Sequence, residues 1–546
     1  MGGTSLSDLT EPPAPVRPPT APALLDRLGT RFGADEALVT GGRRWSYREL
    51  AAAARETAAG LRALGVDADT SVGLLCTNRP EWLHTLFGAG WCGATVSCFH
   101  TWVGTWDLDH LLATAEVEVL VTMDRFRSNR FVASLTGLVP ELGEAGPGGW
   151  RSARYPKLRT VVVIGDERPP GALSWADLRA RGAAERPVGP PAASPDRAAV
   201  VLYTSGSTAR PKGVPLVHRD LVENGYQIGE RMGLGPRDRV WVSAPLFWSY
   251  GSANALMASL THRSTILLQE TFEPGPALEI LTSQRATAGY FLPHLTRALI
   301  DEPGFDPGRL TTLRTGLTIG LPDDLRLVAE RLGVAGICNI YGSTETYGNC
   351  CVTPWTAPLA RRMHSQGPPL PGMTVRIVDP DGAPVPPGEE GQILVGGRIT
   401  PGYLGQPELN AHSFTADGLL RTGDVGHLDE DGWLVFGARE SEMIKTGGIN
   451  VAPAEVEEFL SRHPDVRQVA VTGAPDPVHG QQVVAFVVAG PGLDEPQLRA
   501  YCQGRIASFK VPARIVFLDA LPTTVTGKLN RRALADLARP DNEDGT

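Results

Sequence analysis

Two rhythms of apolar positions alternate along most of the chain. Residues 47–64 (YRELAAAARETAAGLRAL) repeat apolar side chains three and four apart and are rich in helix formers, which predicts a helix. SVGLLC at 71–76 reads as a short buried strand. A second helix is predicted from Pro80, because proline suits a first helical turn. VEVLVTM at 117–123 and AAVVLY at 198–203 supply further strands. Helix alternating with short apolar strand predicts α/β layers on parallel strands, continuing to about residue 345. Residues 143–154 and 183–197 are loop-like connections.

From about residue 372 the texture changes. MTVRIVD, GQILVGG and WLVFG are short alternating strands separated by D-G and P-G turns, which predicts a small β-rich subdomain. After Arg439 the helix AEVEEFLSRH, the strands RQVAVTG and QVVAFVVAG, a second helix and a loop, TTVTGKLNR, form a last block. The expected division is a flexible Pro-rich leader over 1–22, an N-terminal region over 23–438, a hinge over 439–441 and a C-terminal lid over 442–546. The predicted fold class is therefore α/β. Two α/β layered subdomains and the β-rich one make a large N-terminal region, and the lid is small, mobile and α+β.

Composition narrows the function classes. Gly 62 and Pro 46 make up about a fifth of the 546 residues, which implies many turns but not low complexity. Lys+Arg 51 against Asp+Glu 60 leaves a net charge of −9, so the chain as a whole has no electrostatic reason to coat nucleic acid or anionic lipid. The cysteines are sparse and contain no CxxC pair, which speaks against zinc ribbons and for reduced thiols in a cytoplasmic setting. No apolar run approaches the ~20 residues of a membrane helix, and the N-terminus lacks the apolar core of a signal peptide.

Chemistry concentrates in Tyr203-Thr-Ser-Gly-Ser-Thr-Ala-Arg-Pro-Lys212-Gly213, a hydroxyl-rich loop just after a predicted strand. Hydroxyls and free backbone N–H groups can hold phosphate oxygens, and lysine adds a point charge. The loop is not a Walker A motif, since GxxxxGK[ST] is absent. Further on stand Tyr341-Gly-Ser-Thr-Glu345, Arg421-Thr-Gly-Asp424, Arg439 followed by Met443-Ile-Lys445-Thr-Gly-Gly-Ile-Asn-Val-Ala-Pro453, and Pro522-Thr-Thr-Val-Thr-Gly-Lys528.

In residue order and spacing this series resembles the adenylate-forming superfamily of acyl-CoA synthetases, aryl-CoA ligases, luciferases and peptide-synthetase adenylation domains. The resemblance covers roughly residues 25–535. It implies an enzyme that uses ATP and Mg²⁺ to turn a carboxylic acid into an acyl-AMP with release of pyrophosphate. Transfer to CoA follows as the default. A carrier-protein thiol, an amine or another nitrogen nucleophile is the alternative acceptor, and an unusual oxyanion the alternative substrate. A nucleotide-binding scaffold without catalysis is the competing class, and the retained Lys528, Glu345 and Asp424 speak against it.

The resemblance also implies roles. Thr204, Ser205, Gly206, Ser207, Thr208 and Lys212 would hold the β- and γ-phosphates. Glu345 would bind Mg²⁺, Thr344 would contact the α-phosphate, and Tyr341 would pack on adenine. Asp424 and Arg439 would reach the ribose. Lys528 would bridge the attacking carboxylate and the α-phosphate. Gly447 and Gly448 would line the acceptor tunnel once the lid rotates about Ser441. Pocket candidates are Trp248, Tyr250, His294, Gly316, Leu317, Thr318, Tyr347 and Gly348, with His294 also suited to a helix start.

Four positions depart from the family's usual pattern. Ala209 and Ala438 replace glycines, Ser441 replaces the hinge Asp or Lys, and Trp248 replaces a common histidine. No aspartate accompanies Phe247-Trp-Ser-Tyr-Gly, which argues against α-amino acids. The rings of Trp248 and Tyr250 would shorten an open channel and favour an aryl or arylpropenoic acid over a long chain. The partner expected is therefore a small-molecule acid, with a separate carrier protein as a further possibility and no nucleic acid or membrane.

Overall fold

The hydroxyl of Thr20 accepts from the Ala23 N–H and starts a helix over Ala21–Arg31 whose Leu24, Leu25 and Leu28 are buried. The computed structural model describes residues 18–185, 188–204, 211–439, 442–446, 449–451, 453–476, 480–502, 506, 510–524 and 528–539. Ala21 and Pro22, assigned above to the leader, thus already belong to the folded body. Pro22 occupies the first turn, where its missing N–H costs nothing.

The predicted helix at 47–64 spans Tyr47–Ala63 and opens with a reciprocal cap between Ser46 and Glu49. It packs on the helix Pro80–Trp91 through small residues. A Cβ added at Gly88 would lie 3.0 Å from Thr57.

Two large sheets carry the N-terminal region. One runs in the order Leu173–Ser174, Thr160–Ile164, Val119–Met123, Ser71–Leu75, Thr95–Phe99, Ala198–Thr204, Lys212–Val217, parallel except for its last strand. The other runs Cys351–Val352, Gly336–Tyr341, Thr315–Thr318, Ala288–Tyr290, Arg239–Val242, Thr265–Leu268, Glu36–Thr40, Arg43–Ser46, antiparallel only at its two edges. Interior strands such as Val119–Met123 are buried at every position, as parallel strands covered on both faces must be. One continuous apolar core joins residues of both sheets.

His84 lies in this core beside Trp45 and Trp175, and its Nε2 has no protein partner. Burial, and then the charges of Arg179 and Arg43, depress its pKa to about 3. The unfolded chain therefore takes up a proton near pH 6.5 that the folded one refuses. This contribution is intact above about pH 6.5 and is lost as pH falls toward 3, at up to ~1.4 kcal/mol per pH unit. Denaturant titrations of wild type and His84→Phe at pH 7 and pH 5 should show a shallower pH dependence in the variant. Equal slopes would count against this origin.

Thr374–Val378, Gly391–Gly396, Leu420–Leu428 and Leu434–Arg439 form an antiparallel sheet, the predicted β-rich subdomain. In the lid, Val466–Asp476 pairs with Gly480–Ala489, which in turn pairs in parallel with Arg514–Phe517. Alternation along Gly480–Ala489 feeds two small cores. Val483, Ala485 and Val487 meet Val456, Leu460 and Leu498, while Val484 and Phe486 meet Leu534 and Ala538. Arg531 knits the lid together. It ion-pairs with Glu442 and with buried Glu457 at 3.1 Å each, and donates to the Val471 carbonyl at 2.9 Å. No helix among the described residues is long and apolar enough to cross a membrane.

Candidate active site

The strand Ala198–Thr204 ends where the hydroxyl-rich loop begins, and Lys212 opens the returning strand directly opposite Thr204. This register brings Thr204 and Lys212 side by side at one end of the hairpin. Ser205, Gly206, Ser207 and Thr208 lie outside the described residues, as do Ser441, Gly447 and Gly448. Gly213 has a spatial reason. A Cβ there would lie 3.0 Å from Val201 and 3.3 Å from Leu404.

Thr344 and Glu345 sit in a single 3-10 turn after the strand Gly336–Tyr341. Tyr347 then adopts φ +59°, an unusual value for a tyrosine. Its buried hydroxyl accepts from the Val217 N–H at 2.9 Å, tying this turn to the Lys212 strand. Gly348 follows at φ +93°, and a Cβ there would lie 2.2 Å from Asn254.

Asp424 projects from Leu420–Leu428, a strand absent from the sequence reading. Its Oδ2 accepts from the Tyr341 hydroxyl at 2.7 Å. Its Oδ1 stands 3.0 Å from Arg439 Nε on the neighbouring strand, out of hydrogen-bond alignment and without another partner. A buried acceptor of this kind is suited to a ligand hydroxyl. Burial raises the Asp424 pKa; Arg439 and Tyr341 oppose that shift, and the Glu345 charge adds to it. The Tyr341 ring stacks on Phe436 at 5.8 Å, so one of its faces is already occupied.

Lys528 lies in a turn closed by its own carbonyl, which accepts from the Thr524 N–H at 2.7 Å. Surrounding protein, and then the nearby Arg439 charge, lower its pKa, although solvent still reaches the side chain. It is therefore solvent-accessible rather than sealed in a core. Arg439 is thus within electrostatic reach of both the lid lysine and Asp424.

A cleft of about 280 Å³ opens at the C-terminal ends of parallel strands from both large sheets, where α/β proteins usually bind ligands. Phe126, Trp102, Phe247, Trp248 and Phe272 give it aromatic walls, and Arg127 and Glu270 also line it. Trp248 lies 5.1 Å from Trp102, between ring centroids. His294, early in the helix Pro293–Asp301, lines the cleft as well. One residue past Trp248, Ser249 Oγ is 3.4 Å from Thr344 Oγ1, so the aromatic wall adjoins the Thr344 turn.

The remaining pocket candidates do not line this cleft. Tyr250 opens a π-helix over Tyr250–Leu256 and donates to the carbonyls of Phe291 and Leu317 at 2.9 and 3.0 Å. Gly316, Leu317 and Thr318 are interior strand residues, and a Cβ at Gly316 would lie 2.5 Å from the Gly289 carbonyl. Tyr347 and Gly348 are packed as described above.

Two residues escaped the sequence reading. Asn78, at the end of one sheet's strand, donates to the Ala244 and Gln269 carbonyls and accepts from the Leu246 N–H, fixing the turn that carries Trp248. Tyr403 donates to Glu345 Oε1 at 2.9 Å, and its ring lies 5.4 Å from Lys212 Nζ. An asparagine after a strand was a legible signal; nothing local marked Tyr403.

The chain is similar to known proteins over most of its length. The model of the AMP-binding enzyme family matches residues 25–404, and that of the AMP-binding enzyme C-terminal domain matches 455–528. A feruloyl-CoA synthase of Amycolatopsis is 34% identical over 90% of this chain and 93% of its own. A sulfoacetate–CoA ligase of Cupriavidus necator is 31% identical over 87% and 89%. The solved anthranilate CoA ligase AuaEII, in complex with anthranoyl-AMP, superposes with a TM-score of 0.83 at 27% identity, covering 98% of this chain and 99% of that one. With both family models matched in order over most of its length, and with a relative 34% identical over 90% of it, this chain belongs to the AMP-binding enzymes of the adenylate-forming superfamily.

Proposed function

We propose that the chain is an AMP-forming acid:CoA ligase acting on an aromatic acid. In the first half-reaction a carboxylate oxygen attacks the α-phosphorus of ATP and pyrophosphate leaves. In the second, the CoA thiol attacks the acyl carbonyl and AMP leaves. Bringing two anions together needs positioning and positive charge more than covalent chemistry. Thr204 and Lys212 would hold the outer phosphates, Thr344 the α-phosphate, and Asp424 the ribose with Arg439. Lys528 would neutralise the attacking and leaving oxygens.

Glu345 fits Mg²⁺. It is a carboxylate with one oxygen held by Tyr403 and the other free of protein hydrogen bonds among the described residues. Mg²⁺ is commonly bound by one or two carboxylates plus substrate phosphates, and when bound it offsets the triphosphate charge.

The observation that carries the aromatic reading is the ring-lined cleft adjoining the Thr344 turn. Two of the three proteins compared above are named for aromatic acids. Mass spectrometry of products from ATP, Mg²⁺ and a panel of acids, with and without CoA, tests both halves. An aryl thioester is expected; acyl-AMP accumulating equally with CoA present would point to an amine or carrier acceptor. In the same assay, Trp248→Ala should lower kcat/KM for aromatic acids about tenfold while sparing short aliphatic ones. An equal loss for both classes would leave Trp248 a purely packing role.

A further inference from the structure

We infer that Tyr403 is a positioning residue that sets the Glu345 carboxylate and Lys212 in register for the metal–triphosphate complex. This inference rests on the adenylation reading above. Tyr403 touches both groups at once, its hydroxyl on Glu345 Oε1 and its ring face near the Lys212 ammonium. Lys212 opens a strand of one large sheet, Glu345 sits in the turn after a strand of the other, and the two lie far apart in sequence.

The segment carrying Tyr403 is itself fastened to both neighbours. The Thr400 N–H donates to the Glu345 carbonyl at 2.7 Å, and the Thr400 hydroxyl donates to the Pro215 carbonyl at 2.8 Å. The Leu404 N–H donates to the Gly213 carbonyl at 2.9 Å. Asn410 closes the frame. Its Oδ1 accepts from the Tyr403 N–H at 2.7 Å, and its Nδ2 donates to the Tyr403 carbonyl at 3.0 Å. Backbone contacts thus hold the Tyr403 main chain against both partners before either side-chain contact forms.

The consequence follows from the degrees of freedom of glutamate. A free Glu345 side chain would explore several rotamers, and binding a cation would have to select one. With Oε1 held by a hydroxyl whose own backbone is clamped, Oε2 is presented in a fixed direction. Partners of ligating carboxylates commonly govern metal affinity by ten- to a hundredfold. The ring acts separately, through the attraction of a cation to an aromatic face.

Two substitutions separate these actions. Tyr403→Phe removes the hydroxyl and keeps the ring. It should raise the Mg²⁺ concentration for half-maximal ATP binding by about tenfold, read by calorimetry, while ATP affinity in EDTA stays within about twofold. Tyr403→Leu also removes the ring and should in addition weaken ATP binding in EDTA by about threefold. In a Glu345→Gln background the Tyr403→Phe shift in Mg²⁺ dependence should disappear, whereas a general packing defect would persist there. Wild-type Mg²⁺ dependence in Tyr403→Phe, or an undiminished shift in the Glu345→Gln background, would overturn the inference. If the wild-type protein forms no AMP from ATP with any acid, the adenylation reading itself fails, and that result is distinct from either outcome. If the Phe variant melts early, the Glu345→Gln comparison is repeated with Tyr403→Leu, and a persisting shift there counts against Tyr403.

Discussion

Lys528→Ala should lose acyl-AMP formation by roughly 10²- to 10³-fold while keeping thioester formation from pre-made acyl-AMP close to wild type. The magnitude follows from removing one well-placed positive group from a site where negative charge moves between oxygens. The asymmetry follows from location. Lys528 lies on the lid, within reach of the Arg439 charge and hence of the Asp424 side of the cleft. On the role proposed above, its work would be confined to the step in which the carboxylate meets the triphosphate. Its lowered pKa adds a second signature. The ammonium is needed charged, so adenylation should decline as pH rises through that lowered pKa, earlier than an ordinary lysine would dictate. In Lys528→Arg this alkaline decline should move to higher pH. Equal loss of both half-reactions in Lys528→Ala would refute the assignment, as would undiminished exchange of labelled pyrophosphate into ATP.

Asp424→Asn should lower kcat/KM for ATP by about 10²- to 10³-fold, mainly through KM. A charged acceptor is worth ~1.5–3 kcal/mol per hydrogen bond, and two ribose hydroxyls are at stake. Asparagine can still accept from the Tyr341 hydroxyl, so the fold should survive. Its amide would face Arg439 without a charge to pair. Burial raises the pKa of Asp424. The carboxylate form binds, so ATP affinity should fall as pH drops through this raised value, above the ordinary carboxylate range. Deoxy-ATP analogues check the partner. Removing a ribose hydroxyl should cost wild type much and Asp424→Asn little, and equal costs would place the hydroxyls elsewhere.

These residues illustrate what the primary structure reveals. Short, mostly apolar runs such as 71–76 and 117–123 announce buried parallel strands because each face must be covered. Strand order stays hidden. Glu36–Thr40 pairs with Thr265–Leu268 across more than two hundred positions, and no local pattern encodes that choice. Asp424 was legible as a motif but not as a strand residue, since Thr422 and Gly423 read as a turn. Tyr250 reads from the sequence as a pocket neighbour of Trp248, yet the π-helix that begins there points its hydroxyl at the carbonyls of Phe291 and Leu317. Sequence adjacency does not determine side-chain direction at such a turn. Tyr403 escaped because its importance lies wholly in partners distant in sequence.

The Arg531 junction bears on the hinge proposed at residues 439–441. Glu442 is the first described residue after Arg439, and it is clamped through Arg531 to Glu457 and the Val471 carbonyl. If the C-terminal part turns about the 439–441 segment, these contacts would hold Glu442, Glu457 and Arg531 together as one unit during the turn. Lys528, three positions before Arg531, would be carried with that unit, so a small torsion at the hinge would translate into a larger displacement of the ammonium.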